Sequence, residues 1–135
     1  MPRINWSSML SVGVPEIDRQ HQVLVGLINQ LNDATDDSGV QVDINAILHE
    51  LVRYTEYHFS FEEDLMREKD YGEFDEHLRE HRMFIEKVKQ LVERWGRGEA
   101  IQVAEVLRFL RDWLVSHILH IDRKLGDALN SAPGA

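Results

Sequence analysis

Four long stretches of this 135-residue sequence place apolar residues three and four apart, and turn formers separate them. That spacing is the period of a helix with one face in a core, and nowhere does a strand-like alternation compete with it. Residues 1–17 read as an irregular arm, because Gly13 and Pro15 forbid a helix running through them, and Asp18 stands where an N-cap belongs. The spacing predicts helices over about 18–36, 43–67, 73–95 and 100–129. The stretch DDSGVQVD, the loop at Asp70, Tyr71 and Gly72, and GRG at 96–98 break them, and SAPGA trails as a frayed tail. Short connections between long helices make neighbours antiparallel. The expected fold is therefore all-α, an up-down-up-down antiparallel four-helix bundle with an irregular N-terminal arm, forming a single domain over residues 1–135.

Composition removes several classes of function. Lys and Arg number 15 against 24 Asp and Glu, a net charge of −9, and no local basic patch offsets it, so no nucleic-acid partner is expected. The absence of cysteine excludes disulfides, iron–sulfur clusters and thiolate zinc sites, leaving nitrogen and oxygen to hold any metal. No run approaches 18 apolar residues and the start carries no signal-peptide core, which gives the expectation of a soluble, cytoplasmic chain without membrane insertion.

The stripes contain residues that do not belong in a core. On a helix advancing about 100° per residue, Ile44, Ile47, Leu51 and Leu65 fall within roughly 40° of His58, and so does Glu62. Glu63 and Asp64 swing away by more than about 100° and read as solvent-facing, as does His49. In the third stretch His77 and His81 share a face with Phe74, Ile85, Val88, Val92 and Trp95. His21 lies beside the stripe of Leu24, Val25, Ile28 and Leu31, and His117 lies on that of Val103, Leu107, Leu110, Leu114, Ile121 and Leu125. A lone buried histidine is more often satisfied by a backbone carbonyl than by a metal. Five imidazoles and a carboxylate from four helices are different: burying each without a partner costs a few kcal/mol against a total stability of about 5–15 kcal/mol. Metal coordination compensates such a set, and it holds more donors than a single four-coordinate ion takes, which suits two metals sharing bridges. Asp122 follows His117 by five residues, about 140° away, so azimuth alone does not select it; His120 reads as a surface or rim residue.

The series His21, then HFSFE with His58 and Glu62, then HLREH with His77 and His81, then HILHID with His117 and Asp122 resembles the seven-ligand signature of the bacterial hemerythrins. The likeness extends to the arm, through Trp6 and SVGVPEID. Members of that family are four-helix bundles, so the fold is not independent of the resemblance. The resemblance implies two iron ions joined by a solvent-derived oxo or hydroxo group, with His77, His81 and His117 on one and His21 and His58 on the other, which keeps a vacancy. Glu62 and Asp122 would bridge them. It also implies an oxygen pocket at Phe59, Trp113, Leu114 and Ile118, for which plain core packing is the other reading. Ligand type alone also suits manganese or zinc.

The function implied is reversible O2 binding for storage, transport or delivery, with no turnover, and an O2-consuming protein as acceptor. The alternatives are a di-iron redox enzyme reducing peroxide or nitric oxide, or an O2 or redox sensor acting through a partner. Histidines outnumber carboxylates five to two, whereas di-iron oxygenases and ferritins in similar bundles use four carboxylates and two histidines. Neutral ligands disfavour high oxidation states, which favours carrying O2 over activating it.

Overall fold

Proline opens the first helix. Its ring pre-sets the backbone angle and its missing N–H costs nothing at a first helical position, so α1 runs Pro15–Asp36, three residues earlier than the spacing predicts. Asp18 therefore is not the N-cap. It lies one turn inside α1, where its carboxylate accepts hydrogen bonds from Val12 N–H at 2.8 Å and the Ser11 hydroxyl at 2.6 Å, fastening the arm to the helix. Gly13, at φ +78°, makes the left-handed turn between them.

The computed structural model describes residues 4–36, 44–98 and 103–130. After α1 come α2 (Ile44–Glu68), α3 (Phe74–Gly96) and α4 (Val103–His117), then a π-helical turn (Ile118–Asp122) leading directly into α5 (Arg123–Asn130). The α4, π and α5 segments form the fourth rod of an up-down-up-down bundle, in which α1 packs on α2 and α4 and α2 packs on α3. The break predicted at 36–43 lies outside the described residues from 37 on, as do the tail at 131–135 and the predicted starts of the second and fourth helices. Between α2 and α3, Asp70 adopts a positive φ of 52° and Tyr71 N–H closes back on the Met66 carbonyl, the usual six-to-one ending of a helix.

The interior is built from Ile17, Leu24, Leu31, Leu51, Met66, Leu110, Ile118 and Leu125 with their neighbours, all buried. No described helix is long and apolar enough to cross a membrane. The arm closes one flank of the bundle. Asn29 grips Ile4 by both backbone groups, at 2.9 Å each. Arg123 donates to the Met9 carbonyl, and Asn130 to that of Gly13 at 3.0 Å.

Candidate metal centre

Each helix delivers polar side chains into this core. His21 comes from α1, His58 and Glu62 from α2, His77 and His81 from α3, His117 from the last residue of α4, and Asp122 from the end of the π turn. All seven are buried, none more than 4% exposed. The π turn supplies what azimuth could not. In an α-helix residues five apart face different ways, but i→i+5 geometry restores them to one face, and Arg123 N–H donates to the Ile118 carbonyl in that pattern. Asp122 thereby reaches the carboxylate–imidazole cluster with His117, its Oδ1 3.1 Å from His117 Nε2.

The donor atoms fall into two groups. Glu62, His77, His81, His117 and Asp122 make one; His21, His58, Glu62 and Asp122 make the other; within each, the donors lie within 4.8 Å of one another. Both carboxylates belong to both groups, and their oxygens divide between them. Glu62 Oε1 stands 3.3 Å from His77 and 3.0 Å from His81, while its Oε2 stands 3.4 Å from His58 and 3.8 Å from His21. Asp122 Oδ1 stands 3.1 Å from His77, and its Oδ2 stands 2.8 Å from His21.

These contacts are not directed hydrogen bonds: Nε2 of all five histidines and all four carboxylate oxygens are buried without a correctly aligned partner. These atoms converge on two shared regions of space. Cis donors on an octahedral ion with bonds of about 2.1 Å stand about 3 Å apart, close to the separations found, and nitrogen and oxygen donors in this mix suit a first-row transition metal. The residues therefore fit a metal pair, with five donors for one position and four for the other.

The outer nitrogens of two histidines are pinned. Gln20, fully buried, takes a hydrogen bond from His58 Nδ1–H at 2.7 Å, and the amide orientation is fixed because its own N–H donates to Glu16 at 3.0 Å. His81 Nδ1–H donates to Glu63 Oε2 at 3.0 Å. Both bonds leave Nε2 with its lone pair toward the cluster. Glu63 corrects the sequence expectation of a solvent-facing residue: its side chain is only 19% exposed, because a flexible glutamate can fold back over a partner on the next helix whatever its own azimuth. Gln20 was missed because a glutamine before His21 has no distinctive spacing. Asp64 and His49 are exposed, as the periodicity indicated, and so is His120.

Of the residues expected to line an oxygen pocket, Phe59 lies flat on His81 with ring centres 3.7 Å apart, and Trp113 stacks on His117 at 4.3 Å. Leu114 and Ile118 are buried either side of His117 in the rod. Trp113 is only half-buried, its edge opening on a surface groove of about 690 Å³ that also meets His117 and His120.

Electrostatics follow from burial and from the two carboxylates. Burial drives the His58 pKa down to about 4, only partly opposed by Glu62. Burial also disfavours a charge on His77, but Asp122 and Glu62 against it win and raise it to about 9. His21 and His81 are raised by the same contest. Burial works against ionising both Glu62 and Asp122, and the Asp122 charge adds to it at Glu62, yet the surrounding imidazoles hold both below the usual carboxylate range.

Relatives agree with this architecture. The family described as Hemerythrin HHE cation binding domain matches residues 12–129. A bacteriohemerythrin of Methylococcus capsulatus is 32% identical over 132 residues, spanning 97% of this chain and 100% of that protein. One from Pseudomonas aeruginosa is 35% identical over 129 residues, spanning 96% and 83%. A crystal structure of wild-type hemerythrin superposes with a TM-score of 0.87 at 30% identity, covering 95% of this chain and 98% of that one. With the match running from the arm through α5 and taking in every residue of the buried cluster, the chain belongs to the hemerythrin family.

Proposed function

We propose that this protein binds O2 reversibly at a di-iron centre and does not turn it over. The observation that carries the reading is the division of the donors: three histidines on one side, two on the other, and both carboxylates shared. His77, His81 and His117 would hold one iron and His21 and His58 the other, with Glu62 and Asp122 bridging alongside an oxo or hydroxo group. The four-donor position has one protein ligand fewer, which leaves room for an exogenous molecule. Iron held by these residues would supply reversible one-electron chemistry at each of the two positions.

The chain's own residues explain why such a cycle could reverse. The seven donors are themselves buried, and Phe59 and Trp113 lie against the faces of His81 and His117. Gln20 and Glu63 hold His58 and His81 in the tautomer that presents Nε2 inward. The deciding experiment is an optical spectrum of anaerobically iron-loaded protein before O2, with O2, and after its removal. A visible band that appears and then vanishes is expected. Sustained O2 consumption with an electron donor would overturn the reading in favour of a redox enzyme.

Metal uptake should also release protons. With a pKa near 9, His77 is protonated at pH 7 in protein stripped of metal, and a ligand nitrogen must give up that proton. Adding ferrous iron anaerobically at pH 7 in weak buffer should therefore liberate about one proton per chain from this residue, and that contribution should fall as the starting pH is raised through 9. An indicator dye reads it. Equal release on either side of pH 9 would contradict the charge state assigned to His77.

A further inference from the structure

The two pinned histidines serve different metal positions and differ in the charge of what pins them. His81, in the three-histidine group, hands its outer proton to the carboxylate of Glu63; His58, in the two-histidine group, hands its own to the neutral amide of Gln20. Among the described residues, His21, His77 and His117 have no hydrogen-bond partner at Nδ1. Glu63 follows Glu62 in sequence, so His81 is bracketed at both nitrogens by consecutive carboxylates of α2, with Phe59 flat against its face at 4°. Gln20 is locked the other way, its amide held by Glu16, which Arg19 in turn holds.

An anionic acceptor draws the Nδ1 proton toward itself and makes the opposite nitrogen a stronger donor, whereas an amide does so weakly. A stronger donor stabilises ferric over ferrous iron. We propose that Glu63 is a positioning residue that lowers the reduction potential of the three-histidine iron, and that Gln20 spares the two-histidine iron the same effect, so the pair loses its first electron from the three-histidine side. This rests on the di-iron reading above. It adds an ordering of the two irons that the ligand set does not specify.

The test is a mediator-coupled redox titration of the fully iron-loaded protein, anaerobically, following the two one-electron steps. Glu63→Gln keeps a hydrogen-bond acceptor and removes the charge. It should raise the lower of the two potentials, reducing the stability constant of the mixed-valence state at least tenfold, equivalent to about 59 mV for a one-electron couple, while iron content stays at the wild-type value. Gln20→Glu combined with Glu16→Gln, which keeps a donor facing the new carboxylate, should lower the upper potential and reduce the same constant. Asp64→Asn, which removes the next charge along, exposed and paired with Arg67, should move neither step appreciably. In zinc-loaded protein the His81 Nδ1 proton should resonate far downfield and shift upfield in Glu63→Gln but not in Asp64→Asn.

Equal movement of both steps in Glu63→Gln, movement of the upper step alone, or no movement would overturn the proposal. So would loss of iron from that variant, which would make Glu63 a retention element instead. A wild-type protein with no redox-active iron sinks the di-iron reading and takes this proposal with it; wild-type steps that Glu63→Gln leaves unmoved sink only this one.

Discussion

If the buried cluster holds the proposed iron pair, Glu62→Gln should leave one iron or none per chain, and chelator competition should show the affinity of what remains weakened by more than about 100-fold, since even outer partners of metal ligands are worth about 10–100-fold. Glu62 gives Oε1 to the three-histidine group and Oε2 to the two-histidine group, so one substitution reaches both positions. The glutamine is nearly isosteric, but one oxygen becomes an NH2 with no lone pair to give, and a negative charge that faces five imidazoles disappears. Far-UV circular dichroism should still report a helical bundle, because the apolar core does not involve this residue. Iron analysis decides the matter. A variant retaining two tightly held irons would show that Glu62 does not bridge.

Gly126→Ala should lower stability by about 3 kcal/mol, or about 10 °C in Tm for a domain of this size, the upper part of what overpacking a core costs. A Cβ there would stand 2.0 Å from the Val12 carbonyl oxygen, with Val12 C at 3.0 Å and Val12 Cβ at 3.1 Å. Two of the three obstructing atoms are backbone, and that stretch of arm is tied on each side. Asp18 holds Val12 N–H, Asn130 holds the Gly13 carbonyl, and Arg123 holds that of Met9. Relief therefore requires either α5 or the arm to move, exposing Leu10 and Val12, which are otherwise buried. Gly26→Ala is the contrast. Nothing lies within 4 Å of its added methyl, and it is inside α1, so the better helix propensity of alanine should raise stability by about 0.5–1 kcal/mol. Thermal melts of both variants, run with and without metal, check the pair. A Gly126→Ala melt equal to wild type would mean that the arm does not seat on α5.

The legible parts of the sequence share a cause. Helical periodicity is a local property, so the stripes that place His58, Glu62, His77, His81 and His117 inward can be counted off at about 100° per residue. All five are buried where the count puts them. Asp122 escaped the same count because that count assumes an unbroken α-helix. A single π turn changes the angle per residue, and only the resemblance supplied this carboxylate. The entry of α1 was misplaced for a related reason. Asp18 has the residue type of an N-cap, but proline begins the helix three residues earlier and frees the carboxylate to bind the arm.

By itself, then, the sequence determined the class of fold and all of the buried cluster except Asp122, because both follow from side-chain chemistry and a repeat of a few residues. Tertiary structure decided the rest. Which carboxylate oxygen faces which set of histidines depends on how the helices pack, and Glu63 and Gln20 reach across to His81 and His58 over 18 and 38 residues of chain. A flexible side chain's destination is set by what the neighbouring helix presents, and no azimuth on its own helix encodes that.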